Sequence, residues 1–596
     1  MLQYFYLAIG TLSLLGVLFA QDAPIKIRSV TIIGNESVSN KELTHLLRQK
    51  PSSWLIRGAK LEPRLVKLDA LTLKNYFHSR GFLNAVIKES YKVENNVADI
   101  YYNIMEGKRF FVSQVDIRGN ELISNDELKT IFGITVNEPY NPVRINENIA
   151  LVENHFHEYG KLFVKLKIQD DISDSVAISI LINEGPDVII HHTFIEEEDP
   201  IDSIQIYREL KYEKGDHYSL SAMDLTKRRL RETGIFSMVN LIPVKVADSD
   251  SLVNIVINLS QFKQREWNSV GGYEKIEFYE GTELPAIGGF IEWRNRSIFN
   301  STTNFSTKLM IGIPWETKFN KPRFRYDISL FNNWLLLIRW PTRVTGFYET
   351  LVNYQEGNKS FPRIERYGVE ISQQVKLDGR SFFENNEVWE YFSDQEDSIR
   401  NLQQRSISMR LHLDRKNDPL FPRKGYSFDT YFKSTGYFLG GEREYLKADI
   451  SLQTYIPVGN ESVFAFRLKS GRIWDWNSDF IDYSYEKFYL GGSTSMRGWD
   501  VLSFEKLGDK PWGEIIRFMV NIEYRFPVYK SIGITLFSDG GILSNTIDSI
   551  SMKAVKWDGG IGLTINTPIG PARLDYAVQF DSPETGKFHL GVRYLF

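Results

Sequence analysis

The sequence predicts a transmembrane antiparallel β-barrel of about 16 strands preceded by three small α/β domains of β-α-α-β-β type. Three observations predict it. A β-α-α-β-β unit recurs three times before Gln264, strict apolar–polar alternation takes over after it, and the last residues alternate and stop on Phe596.

Taken in order, the chain opens on its longest apolar segment, Tyr4 to Ala20, closed by Val17-Leu18-Phe19-Ala20 ahead of the polar Gln21-Asp22. A short apolar run ending on a small residue reads as an export signal over residues 1–20. No Lys or Arg precedes it, so a retained membrane anchor is the alternative. No internal run is long and apolar enough for a membrane-crossing helix.

In the repeats, Gly34-Asn35 ends the alternating run that begins at Ile25, and Gly119-Asn120 ends Val115-Asp116-Ile117-Arg118. Each leads into a helix opened by Ser39-Asn40 or Ser124-Asn125, side chains suited to accept the unpaired amides of a first turn. A second helix in each unit stops at a glycine, at Gly81, Gly160 and Gly234, where a terminator needs positive φ. The units close on Ile104-Met105-Glu106-Gly107, Ile182-Asn183-Glu184-Gly185 and the strand Ile255 to Leu259. The period of about 75 to 85 residues is too long for a solenoid and places domains at 25–108, 109–186 and 187–262.

From 265 to 596 the period is two. Tyr326, Ile328 and Leu330 alternate with Arg325, Asp327 and Ser329; Phe518, Val520, Ile522 and Tyr524 alternate with Arg517, Met519, Asn521 and Glu523. Strands of about ten residues with one apolar face are long enough to cross a bilayer. A soluble sandwich also alternates, but its hidden face would not carry Arg, Asp, Glu and Lys, which a polar lumen tolerates.

Composition agrees. Hydrophobic residues make up 42% and aromatics 14%, with 30 Tyr and 39 Phe, an abundance suited to interfacial girdles. A net charge of −4 offers no basic face for nucleic acid. The absence of cysteine excludes disulfides, thiol catalysis and cysteine-ligated zinc.

Five motifs then stand in order: Asp414-Arg-Lys-Asn-Asp418-Pro with Pro422-Arg-Lys-Gly425, Gly491-Gly-Ser-Thr-Ser-Met496-Arg497-Gly498-Trp499, Asn521-Ile-Glu523-Tyr-Arg-Phe-Pro527, Phe537-Ser-Asp539-Gly-Gly541, and Gly562-Leu with Pro568 to Ala577. Together they resemble the BamA/TamA family, whose members carry periplasmic POTRA domains before a 16-stranded barrel. Met496-Arg497-Gly498-Trp499 resembles the family's (V/I)RG(F/Y) segment on the sixth external loop, with Met and Trp in place of the usual aliphatic and Phe or Tyr. Three repeats resemble TamA more than BamA, which typically has five.

Strand parity turns Glu523 and Asp539 into the lumen, where desolvated carboxylates want a cation. Arg497, in a glycine-flanked loop, can bridge both through the fixed fork of its guanidinium, which Lys could not reproduce. The resemblance implies the same contact, a loop lock formed by Arg497, Gly498, Trp499, Glu523 and Asp539. The barrel closes between its first strand, with Trp267, Gly271, Gly272 and Tyr273, and its last, with Phe588, Leu590, Val592, Tyr594 and Phe596. Gly271-Gly272 weakens pairing there by removing side-chain contacts. The terminal strand resembles the C-terminal recognition strand of bacterial outer-membrane barrels.

No enzyme motif is found: His155 and His157 lack a third ligand at metal spacing, and there is no H-E-x-x-H or G-x-S-x-G. The expectation is a non-enzymatic factor in the bacterial outer membrane, without metal or cofactor, that inserts or translocates other proteins. Its expected partners are outer-membrane lipid, unfolded outer-membrane clients, and a periplasmic or inner-membrane protein at the POTRA edges. The alternatives are a two-partner-type secretion channel exporting one passenger and a passive barrel with accessory domains.

Overall fold

The structure, a computed structural model, describes residues 25–51, 60–197, 201–277, 283–314, 319–351, 353–356, 359–360, 364–394, 402–459, 462–475, 486–507, 510–529, 531–551, 553–567, 570–592 and 594–596. The expected export signal lies outside the described residues. The chain divides into two compact units. One holds Met1–Glu196, Leu210–Lys227 and Asn240–Ile257, the other Glu197–Glu209, Arg228–Val239 and Asn258–Phe596.

The first repeat runs β1 (Lys26–Ile33), α1 (Asn40–Leu46), α2 (Pro63–Ser79), β2 (Val86–Glu94) and β3 (Val97–Met105); the second runs β4 (Val112–Arg118), α3 (Asn125–Phe132), α4 (Pro142–Glu158), β5 (Lys165–Ile172) and β6 (Val176–Asn183). In each sheet the last strand is central, parallel to the first and antiparallel to the second. The predicted caps form: the hydroxyls of Ser39 and Ser124 accept the amides of Glu42 and Glu127, each at 3.3 Å. Both long helices start on proline, whose missing N–H costs nothing in a first turn.

Gly34 and Gly119 occupy equivalent places with φ of 87° and 84°, and a Cβ there would fall 2.2 and 2.1 Å from the carbonyl oxygens of Ile104 and Ile182. Only glycine permits that approach. Just beyond, the Glu106 carboxylate accepts the amides of Glu36 and Ser37 at 2.7 and 3.0 Å, and Glu184 accepts those of Glu121 and Leu122 at 2.7 and 2.8 Å. Burial opposes ionisation of Glu106, but the Ser37 hydroxyl and the two amides outweigh it and hold the carboxyl below its ordinary range. The third repeat supplies β7 (Ile189–Glu197), α5 (Ser203–Tyr207), α6 (Leu220–Glu232), β8 (Phe236–Lys245) and β9 (Leu252–Gln261), with β9 central in its sheet.

The barrel is one antiparallel sheet of 16 strands paired in chain order. They are β10 (Arg265–Glu277), β11 (Glu283–Asn295), β12 (Asn304–Pro314), β13 (Arg323–Asn332), β14 (Thr342–Thr350), β15 (Ile364–Lys376), β16 (Phe382–Asp394), β17 (Leu402–Asp414), β18 (Gly425–Thr435), β19 (Tyr445–Val458), β20 (Ser462–Asp475), β21 (Ile516–Tyr529), β22 (Ile532–Ser544), β23 (Lys556–Thr567), β24 (Gly570–Gln579) and β25 (Lys587–Val592). The expected parity holds: Tyr326, Ile328, Leu330, Ile450, Leu536 and Leu574 face outward, while Lys447, Arg517, Glu523, Arg525, Asp539 and Asp575 are buried inside. A wall that hides charge and exposes aliphatics is stable only against hydrocarbon. The inner charges pair across strands, as Arg323 with Glu349 and Arg517 with Asp449.

Candidate functional site

The connection from β20 to β21 folds back into the lumen. From Phe488 to Phe504 its apolar side chains, including Leu490, Met496 and Trp499, pack against Ile473, Met519 and Leu543 of the wall. Gly491 and Gly492, at φ 115° and 91°, turn the chain so that the Gly492 amide donates to the carbonyls of Met496 and Trp499, both at 3.0 Å. That turn presents Arg497, which is 0% exposed.

Arg497 Nε and Nη2 donate to Asp539 Oδ2 and Oδ1 at 2.8 Å each, and Nη1 donates to Glu523 Oε1 at 2.7 Å. Asp575 stands 3.7 Å away on β24, and the Phe537 ring centroid lies 3.5 Å from the guanidinium carbon. Asn521 pairs with Asp539 in the register of β21 and β22, two residues from Glu523, so both carboxylates reach one fork. Gly498 donates its amide to Asp558 Oδ2 at 2.8 Å, and its carbonyl accepts from Gln579 Nε2 at 2.9 Å. A Cβ on Gly498 would sit 2.5 Å from that of Asp558, so close approach explains this glycine. Trp499 packs on Phe504 with ring centroids 4.9 Å apart and planes tilted by 56°, and makes the apolar half of the seat.

Sequence reasoning found Arg497, Glu523 and Asp539 but missed their supports. Asn521 donates to Ser495 O and Asp539 Oδ1, both at 2.8 Å; Arg467 reaches Asn521 Oδ1 at 2.8 Å and Thr494 O at 3.1 Å; Arg573 donates to Ser493 O at 2.6 Å. A second anchor was also missed: buried Glu486 takes Lys433 at 2.9 Å, Tyr445 at 2.6 Å and Lys447 at 3.2 Å. All except Glu486 lie on strands, where parity was the available signal. Parity gives the side of the wall but not the height at which a loop arrives.

The margin between β10 and β25 is different. β10 pairs with β11 over its whole length, Gly271 opposite Gly289 and Gly272 opposite Gly288. Among the described residues no pairing joins β10 to β25, and β25 ends at Val592. Trp267, Phe588 and Leu590 face outward, and Tyr273 is half-buried. Tyr594 and Phe596, expected in the last strand, lie off it. The Arg525 guanidinium stacks 3.9 Å from the Tyr594 ring, and Arg525 and Arg467 donate to the carbonyls of Phe596 at 3.2 Å and Leu595 at 3.4 Å. Phe596 packs with Tyr455, Val463 and Ala465. Two guanidiniums and an apolar niche inside the barrel outcompete continuation of the strand.

The Omp85 superfamily domain matches residues 312–593, and the surface antigen variable number repeat, POTRA, matches residues 25–107 and 110–185. The chain belongs to the BamA/TamA family. It is an outer-membrane protein whose POTRA domains stand in the periplasm. Among curated proteins it is 22% identical to the outer membrane protein assembly factor BamA of Nitratidesulfovibrio vulgaris, over 95% of this chain and 72% of that one. It is 20% identical to BamA of Neorickettsia risticii, over 93% and 75%. The crystal structure of Haemophilus ducreyi BamA lacking POTRA domains 1–3 superposes with a TM-score of 0.61 at 16% identity, covering 81% of this chain and 98% of that one, a likeness of fold.

Proposed function

We propose that the protein assembles other β-barrel proteins in the outer membrane by lending them the edge of its own sheet. The observation that carries this reading is the margin of β10 and β25, left without a ladder among the described residues, with the last three residues drawn inside. A free strand edge is a template for a client strand. Each client hydrogen bond formed there removes a polar group that hydrocarbon could not satisfy. The lock on Arg497 keeps the loop seated and the wall from β21 to β24, which adjoins β25, rigid while the margin works. The exposed strands β2 and β5 at the edges of the POTRA sheets suit capture of an extended client or of a periplasmic or inner-membrane partner. The BamA names of the relatives support the same reading.

The test uses the cysteine-free chain, with one cysteine in β10 and one in β25 joined by oxidation. Oxidation is expected to stop client assembly and reduction to restore it. Normal assembly by the joined protein would overturn the lateral mechanism. Depletion of the protein is expected to lower many outer-membrane barrels together; loss of one secreted protein alone would assign a dedicated secretion channel instead.

A further inference from the structure

Turns of a soluble domain hide apolar residues and expose polar ones; two turns of the barrel, on the rim where β10 begins, do the reverse. Between β13 and β14, Leu336 and Leu337 are 90% and 91% exposed and Ile338 67%, and between β11 and β12 Phe299 is 95% exposed. Beside them α5 exposes Ile204, at 68%, and Tyr207.

The polar side chains of the same segments are tucked beneath. Glu209 is fully buried, accepting Trp334 Nε1 at 2.7 Å and Arg339 Nε at 3.0 Å, while Arg339 Nη2 reaches Glu232 at 2.7 Å. Arg208 donates to Thr302 Oγ1 at 2.8 Å and lies 5.2 Å from the Trp334 ring, tying one turn to the other, and Asn332 joins them again through Thr303 at 2.8 Å. The result is a braced platform with greasy tips.

Backbone geometry adds a second, independent sign. Phe299 and Leu336 both hold φ of 55°, the left-handed region in which Gly or Asn would sit more easily. Bulky apolar residues at strained, solvent-facing positions argue that the side chains themselves are wanted there.

We propose that these tips form an apolar foot inserted into the periplasmic leaflet of the outer membrane. Lipid is the occupant for two reasons. The foot repeats the polarity of the barrel wall, polar within and aliphatic without, and it continues the lipid-facing row of Ile328 and Leu330 on β13 and Val344 on β14. Its flanking Trp340, which is exposed, has the amphipathic chemistry of the membrane interface. Held in this way, the foot fixes the depth of strands β11 to β14, close to the β10 margin, against the bilayer.

Because the chain has no cysteine, single cysteines at Leu337, at Ile328 on the wall and at Lys424 on another turn of the same rim can each carry an NBD probe. The full protein is reconstituted in phosphatidylethanolamine/phosphatidylglycerol vesicles with and without shallow doxyl-labelled lipid. The Leu337 probe is expected to emit in the blue and to be quenched at least half as much as the Ile328 probe, with the Lys424 probe water-like and unquenched. A water-like, unquenched Leu337 probe beside a quenched Ile328 probe overturns the foot alone and leaves the tips to a protein partner. An unquenched Ile328 probe overturns the membrane-spanning reading of the barrel, and the foot with it. The variant Leu336→Asp/Leu337→Asp, with its barrel checked by heat-modifiable mobility, is expected to abolish quenching of a probe at Ile204; retained quenching there also counts against the foot.

Discussion

Two neighbouring stretches of the same barrel are built on opposite principles. From β20 to β24 the wall is cross-linked through the loop by Arg497 and its carboxylates, each held by a further Asn or Arg. At β10 and β25 there is no ladder among the described residues, glycines face each other at two successive pairs on the inner neighbour, and the last strand is six residues long. The firm stretch runs up to the soft one, since β24 pairs with β25 and His589 on β25 lies 2.8 Å from the Arg497 carbonyl, so in the proposed mechanism the sheet gives only between β25 and β10. On the proposed function, a barrel locked evenly all round could not admit a client, and one loose all round would not survive in the membrane.

The largest effect should come from breaking the firm side. Arg497→Ala leaves Asp539 buried without its cation and Glu523 with Arg525 alone, and breaking a buried pair costs about 3–5 kcal/mol. The expected outcome is loss of heat-modifiable mobility at a lower temperature and protease cleavage near Met496. Arg497→Lys should rescue only in part, because one ammonium cannot grip both oxygens of Asp539 and still reach Glu523. Normal heat-modifiability in Arg497→Ala would mean that the loop is held by its apolar seat alone.

Gly498→Ala probes the same side through shape. Its new methyl would meet Asp558 Cβ at 2.5 Å, and overpacking of this kind costs about 1–3 kcal/mol. The melting transition of the folded barrel should fall, by less than in Arg497→Ala. A variant as stable as the parent would show that the loop can ride up without losing the Arg497 contacts.

The two sides were not equally legible in the sequence. The firm side was readable because its chemistry follows period two: Glu523 and Asp539 sit on the polar parity, and a glycine-flanked arginine is an obvious mate. The caps at Ser39 and Ser124 and the terminating glycines Gly81, Gly160 and Gly234, at φ 91°, 85° and 74°, were readable for a similarly local reason. What escaped was whatever depends on where distant segments meet. Nothing local marks Glu486 as the partner of Lys433 and Lys447, or Arg573 as the donor to Ser493. The end of the chain misled, since Phe588 to Phe596 alternates without a break. The inward turn of Tyr594 and Phe596 is decided by Arg525 and Arg467, two residues whose parity says only that they face inward.

That tail belongs to the soft side. Removing Tyr594 to Phe596 deletes the ring stacked on Arg525 and the carbonyls that accept from Arg525 and Arg467. A cation–π contact of this kind is worth about 0.5–2 kcal/mol. Hydrogen exchange along β25 should quicken by about tenfold, the equivalent of about 1.4 kcal/mol, while exchange near Arg497 stays as it was. Equal acceleration in both places would mean that the tail is coupled to the lock, through Arg525, which also holds Glu523, or through His589 of β25, 2.8 Å from the Arg497 carbonyl.

The smallest effect is the most diagnostic, because it sets the same substitution on the two sides with opposite signs. The nearest atom to a Cβ on Gly271 is Gly288 O at 3.7 Å, an ordinary contact, and its φ is not in the left-handed region. Gly271→Ala therefore removes backbone freedom without a clash and should stabilise β10 by about 0.5–1 kcal/mol. If the softness of this margin serves client entry, the gain in melting temperature should come with slower client assembly. If assembly is unchanged while the barrel melts higher, the glycines serve only the close packing of β10 on β11, where a Cβ on Gly289 would strike Val270 O at 2.2 Å. The free edge would then have to act by its missing ladder alone.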